Sequence, residues 1–183
     1  MNYNEKLSMQ DGVEKANEET FRSMVGGLIY LTHSQPDLAH AVSVVSRFMQ
    51  KPSKVHLGSA KRILKYVAGT IDYGIWYAKG KKIVLTGYSD SDWASNVDDQ
   101  KILSAYVFSL CSGAVSWSSK KQPTVALSST EVEYIIATGA TSQAIWLRRI
   151  LEDLGLEQEE PTMIYCDNKS SINLSKNPVH HSR

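Results

Sequence analysis

Nowhere in its 183 residues does the chain hold an apolar run of the length a membrane helix needs. The best stretch, residues 24–31, is far short of the roughly 18 residues that span a bilayer. A basic start followed by an apolar segment, the mark of an export signal, is also missing from Met1-Asn2-Tyr3-Asn4-Glu5. The expectation is an intracellular protein, cytoplasmic or nuclear and not secreted, so the glycosylation patterns at Asn168 and Asn173 read as coincidence. Cysteine is scarce too: Cys111 and Cys166 have no metal-ligand spacing around them, which predicts two reduced, buried thiols and excludes a disulfide framework. Nor is there an excess of either charge. Twenty Lys+Arg against nineteen Asp+Glu leave +1, so any grip on a polyanion must come from local clusters.

What is present is an ordinary globular composition, 42% apolar and 21% charged, enough for one domain or two small ones. Residues 1–19 are polar without apolar periodicity and read as a flexible lead-in. Helical signals follow. Phe21, Met24, Val25, Leu28 and Leu31 fit the i, i+3, i+4, i+7 template, and Ser34-Gln35-Pro36-Asp37 reads as a capping box opening a second helix. That helix carries Leu38, Val42, Val45 and Met49 and stops near Lys51-Pro52. Ser53 is the expected N-cap of a third, with Leu57, Ala60, Leu64 and Val67 inward and Gly69 just past its end. Residues 20–77 are thus expected to form a helical subdomain with a strand-like run over 71–77, and residues 78–183 a second domain.

In that second part the period changes to strand-like runs. A strand ends at Asp90; runs over 103–110 and 114–118 flank Cys111-Ser112-Gly113, a hairpin signal. A long helix over 129–154 ends at Gly155, followed by a short strand over 162–166 and a last helix over 168–175. The order from residue 83 is β-β-β-α-β-α, an α/β fold. If the first two strands pair antiparallel and the second hairpins into the third, the third runs parallel to the first. The helix then starts at Asp90's edge of the sheet, and a right-handed crossover returns the fourth strand parallel to the first, delivering Asp167 to the same edge. Carboxyl ends of parallel strands are where open α/β sheets place their sites.

The helix offers Glu131 and Glu133. Glu131 completes a capping box with Ser128, whereas Glu133 heads a small-residue stripe, Ala137, Ala140 and Ala144, where an acid is costly to half-bury without a cation opposite. Asp90, Glu133 and Asp167 on one rim suit hard divalent ions, above all Mg²⁺. Two such ions about 4 Å apart activate a water and steady a leaving oxygen in phosphodiester cleavage. Asp92, two residues along the strand from Asp90, is the rival ligand. Against this stand plain readings: a surface acid is ordinarily just solvated, and Asp167 equally suits the N-cap of a following helix. Lys54, Lys61 and Lys65 form a basic stripe on the third helix, with Lys51 and Arg62 nearby, and Lys120-Lys121 precede the long helix. Such residues track phosphates, or simply solvate a helix face. Trp93 and Trp117 are candidates for base stacking or for the core.

Several stretches are familiar together. Phe21-Arg22-Ser23-Met24-Val25-Gly26, Pro36-Asp37-Leu38-Ala39, Tyr88-Ser89-Asp90-Ser91-Asp92-Trp93-Ala94, Ser116-Trp117-Ser118-Ser119-Lys120-Lys121-Gln122, Leu127-Ser128-Ser129-Thr130-Glu131-Val132-Glu133-Tyr134 and Tyr165-Cys166-Asp167-Asn168-Lys169-Ser170-Ser171 resemble the Pol polyprotein of copia-type LTR retrotransposons, from about residue 20 onward. The resemblance implies the C-terminal tail of a reverse transcriptase followed by a ribonuclease H-like mixed sheet. It also implies cleavage of the RNA strand of an RNA/DNA hybrid by two Mg²⁺ ions, with Mn²⁺ as a substitute, held by acids that match Asp90, Glu133 and Asp167. Partners would be the hybrid and the rest of the polyprotein.

The departures matter as well. In the family a Thr-Lys-His-Ile-Asp segment with a fourth acid follows Ser182-Arg183, so these 183 residues are expected to cleave weakly or not at all. No Tyr-x-Asp-Asp of a polymerase palm occurs, which excludes DNA synthesis. Cys111 stands where the family usually has glycine and Ile136 where it has alanine. The alternatives to a nuclease are a noncatalytic nucleic-acid-binding remnant and a structural subdomain dependent on the rest of the polyprotein.

Overall fold

The computed structural model describes residues 7–80, 83–92, 103–121 and 129–167, with residues 91, 92, 103 and 129–134 described by their backbone alone. The expected last helix over 168–175 and Trp93 lie outside the described residues. The chain divides into two compact units, the first running to Gly74 and the second beginning at Ile75. Among the described residues no helix is long and apolar enough to cross a membrane.

The first unit is built on three α-helices. Asn17 caps α1 (Glu18–Leu31) by accepting from the Thr20 amide at 2.8 Å, so the helix opens three residues before its apolar periodicity begins. Phe21, Val25 and Leu28 are fully buried on its inner face. The Ser34 to Asp37 capping box does not form: Ser34 Oγ donates to the Leu31 carbonyl, and Gln35 precedes a single 3-10 turn over Pro36–Leu38. Helix α2 is consequently short, Ala39–Ser46, and ends in turns before Lys51. Ser53 caps α3 (Lys54–Gly69) as expected. The buried face of α3, however, is His56, Ser59, Ala60 and Ile63; Leu57 and Val67 are half-buried and Leu64 is exposed. The core pools these faces with Leu38, Val42, Val45, Phe48 and Leu7.

Leu7 comes from the stretch expected to be a free lead-in. Residues 7–17 instead lie against the head of α3, with Ala16 N–H donating to the Pro52 carbonyl and Lys54 N–H to the Glu14 carbonyl, both at 2.9 Å. Lys15 and Ser53 form an antiparallel bridge. Residues 71–77 form no strand, and 75–78 belong to the second unit, where they run along a hairpin. Tyr77 donates to the Ala114 carbonyl at 2.6 Å and the Ala78 amide to Ser112 Oγ at 3.0 Å. Gly113 permits this approach, because a Cβ there would come within 2.4 Å of the Tyr77 ring.

The second unit is a mixed sheet in the order β3-β2-β1-β4, made of β1 (Leu85–Asp92), β2 (Leu103–Leu110), β3 (Gly113–Lys121) and β4 (Met163–Cys166). β1 and β2 are antiparallel, β2 and β3 are antiparallel, and β1 and β4 are parallel. Cys111-Ser112 makes the β2 to β3 turn with Cys111 at φ 59°, and a bulge at Phe108/Ser109 precedes it on β2. One face of the sheet is covered by α4 (Ser129–Asp153), whose Ala140 and Ala144 bury against Leu85 and Phe108. The small side chains let helix and sheet approach closely. Gly87 serves the same packing: a Cβ there would lie 2.6 Å from the Phe108 ring. α4 closes at Gly155, φ +70°, with the Gly155 amide on the Glu152 carbonyl and the Leu156 amide on the Leu151 carbonyl. The thiols are not buried as expected; Cys111 is exposed on its turn and Cys166 half-exposed.

Candidate active site

Alternation along β1 divides its residues between two faces. Leu85, Gly87 and Ser89 are buried on the side of α4, while Tyr88 and Asp90 are exposed on the other. In the parallel pairing Thr86 stands beside Met163 and Tyr88 beside Tyr165. The two tyrosine rings stack at 5.3 Å with planes 20° apart, so the register is carried by the side chains. The next step of the same row sets Asp90 beside Asp167, the first residue after β4, and both acids are exposed. Neighbouring strands lie about 4.8 Å apart, which makes this pair of carboxylates a site where one cation can be shared. β1 continues to Asp92, so Asp92 occupies the next position of that row.

Glu133 stands at the start of the second turn of α4, seven residues before Ala140. The far end of α4 is fixed over the start of β1: Leu151 packs with Leu85, and the Leu85 amide donates to Gln158 Oε1 at 3.0 Å. The first turns of α4 therefore extend toward the opposite end of β1, the end that carries Asp90. Glu133 thus lies on the helix-covered side of the sheet, while Asp90 and Asp167 stand on the other face. Among the residues with described side chains, which do not include Glu133, no three metal-binding side chains cluster.

The basic residues fall in two places. Lys120 and Lys121 end β3; Ser91 and Asp92 are level with Ser104 and Leu103 on β2, which pair in turn with Lys120 and Lys121, so these cations share the acids' edge of the sheet. Lys120 is exposed and Lys121 half-buried. Lys54, Lys61 and Lys65 are exposed along α3, a helix without a single acid. Lys54 Nζ meets Glu14 Oε2 at 2.6 Å.

Periodicity missed His56. Its imidazole is buried, stacked on Phe48 at 3.8 Å, and Nδ1 accepts from the Ser53 amide at 3.0 Å, completing the cap of α3. The Ser53 hydroxyl donates to the Asp11 carboxylate. That bond, the Val13 amide and, to a smaller extent, the His56 imidazole hold the Asp11 carboxyl below its ordinary value. The readable signal was the third residue after an N-cap serine, the position usually filled by Glu or Gln.

Over 178 residues the chain is 42% identical to the retrovirus-related Pol polyprotein from transposon RE1 of Arabidopsis thaliana, a match covering 97% of this chain and 12% of that protein. The chain belongs to the Pol polyproteins of copia-type retrotransposons. The Pol polyprotein from transposon TNT 1-94 of Nicotiana tabacum is 45% identical over 173 residues, 93% of this chain and 13% of that protein. A third relative, the secreted RxLR effector protein 161 of Plasmopara viticola, is 46% identical over 128 residues, 69% of this chain but 90% of that protein. The chain thus spans about an eighth of the length of the Pol polyproteins it matches. No family model and no solved structure matches it. The Pol match runs through the stretches that contain Asp90, Glu133 and Asp167, since it takes in 97% of the chain.

Proposed function

We propose that the second unit is a ribonuclease H-like domain which, in the parent Pol polyprotein, hydrolyses the RNA strand of RNA/DNA hybrids. The observation that carries this reading is the parallel β1/β4 register, which sets Asp90 beside Asp167 at the sheet edge toward which α4 directs Glu133. Solvent-facing carboxylates from neighbouring strands are hard oxygen donors of the kind Mg²⁺ accepts. Asp90, Glu133 and Asp167 would hold two Mg²⁺ ions, or Mn²⁺ in their place, with Asp92 the competing ligand. When bound, such ions lower the pKa of an attacking water and take up charge on the leaving oxygen. The chain's own contribution is to place the carboxylates, and with Lys120 and Lys121 to hold phosphates at the same edge. Lys54, Lys61 and Lys65 would track the backbone of the nucleic acid on the first unit. An A-form hybrid offers 2′-hydroxyls, by which its RNA strand is told from DNA.

The test is a labelled RNA/DNA hybrid incubated with this chain and Mg²⁺ or Mn²⁺. The reading expects products that need the metal and disappear in Asp90→Asn, whatever their absolute rate. Loss in Asp92→Asn with Asp90→Asn unimpaired would move the ligand role to Asp92. Salt-sensitive binding with no product under either metal would make these 183 residues a noncatalytic binding module, whereas products that persist in both Asp90→Asn and Asp92→Asn would overturn the metal-site reading.

A further inference from the structure

We infer that residues 7–17 form an acidic clamp that occupies the head of the basic face of α3 and competes there with nucleic-acid phosphates; this rests on the reading of Lys54, Lys61 and Lys65 as a phosphate track. The segment is fixed along its length, by Leu7 in the core, by the Lys15 to Ser53 bridge, and by the backbone bonds from Ala16 to Pro52 and from Lys54 to Glu14. Both of its acids within this stretch are spent on the first turn of α3. Asp11 accepts from the N-cap hydroxyl of Ser53, and Glu14 meets the ammonium of Lys54. These are the positions at which a helix start and a flanking lysine attract an anion.

The two contacts differ in strength, and the difference defines the device. Asp11 is only 19% exposed and is bonded to Ser53 and to the Val13 amide, so it anchors the segment. The Glu14 to Lys54 pair has side-chain exposures of 74% and 58%. A pair so open to water is held weakly and exchanges readily for another anion. The clamp therefore masks one of the three lysines of the stripe while the segment stays docked. A phosphate that takes Lys54 must displace one carboxylate and need not unfold the strap.

The experiment compares binding of a labelled RNA/DNA hybrid by the wild-type chain, Glu14→Gln, Lys54→Ala and the double variant across a salt series, without metal so that cleavage plays no part. Removing Glu14 spares a phosphate at Lys54 the displacement of one weakly held carboxylate, which should tighten binding about threefold at 50 mM salt. In the double variant the gain should vanish. Protection of the Ala16 and Lys54 amides from hydrogen exchange, unchanged in Glu14→Gln, would show that the strap remains docked. A gain that persists in the double variant, or no gain in a chain that binds through Lys61 and Lys65, overturns the clamp and leaves the phosphate track intact. No binding by any variant removes the track and the clamp with it, while the Asp90→Asn cleavage assay still judges the nuclease reading.

Discussion

Cys111 sits in the left-handed region at φ 59°, on the tight turn between β2 and β3. That conformation crowds a Cβ against the following carbonyl and costs an ordinary residue roughly 1–2 kcal/mol. The family resemblance has glycine at this position, and the backbone supplies the physical reason. Cys111→Gly should stabilise the chain by about 0.5–1 kcal/mol, the relief of the left-handed strain less the extra freedom glycine gives the unfolded state. The urea midpoint reads it directly, and a midpoint that falls would show that the exposed thiol contributes more to the turn than its backbone costs. Ile136 is a departure of another kind. It is 3% exposed on α4, one residue before Ala137 of the small-residue stripe, and is accommodated as a core residue. Single residues thus departed from the pattern in two ways, one storing strain and one absorbed by packing, and only the backbone angle tells them apart.

At the scale of the element, the head of α3 shows why some of the chain was readable and some was not. Ser53 as N-cap follows from local sequence, because a cap is decided within four residues. The partner that reinforces it does not: Asp11 is 42 positions away and leaves no periodic trace. The same limit explains why Leu64 was expected inward and is exposed. A residue at helical spacing fits either of two adjacent stripes, and the choice fell to the stripe containing His56, whose ring stacks on Phe48. The contact between strap and helix carries a pH dependence of definite sign. Asp11's carboxyl is held below its ordinary value of 3.8, first by the Ser53 hydroxyl, so the folded state binds its proton less tightly than the unfolded one. Its contribution is present above about pH 4 and is lost as the pH falls through the lower folded value. Protection factors of the Ala16 and Lys54 amides should therefore be level at neutral pH and drop in acid. In Asp11→Asn they should be reduced at neutral pH and vary less over the acid range. A wild-type acid limb no steeper than that of Asp11→Asn would assign the dependence to other groups.

Across the second unit, the path of the chain was legible because strand polarity and one helix-length connection leave few arrangements. Given two hairpin-like joins and one long crossover, the order β3-β2-β1-β4 with β4 parallel to β1 follows from chain geometry. What that logic could not give was the face on which each acid stands, since a one-residue difference in register moves a side chain through the sheet. The register places Asp90 and Asp167 in the row of the stacked tyrosines and away from α4. A cation between two carboxylates in neighbouring positions would be held by both. The proposed metal site then has a signature in stability that is separate from catalysis. Asp90→Asn and Asp167→Asn each keep the side-chain shape and remove one anionic donor, so the comparison of interest is the response of each to added metal. With Mg²⁺ at ten times its dissociation constant the wild type should gain about 1.4 kcal/mol, and the two variants much less. Glu152→Gln, an exposed acid on α4, controls for general screening. If the variants respond to Mg²⁺ as fully as the wild type, the two aspartates serve the sheet edge alone and the ions bind elsewhere.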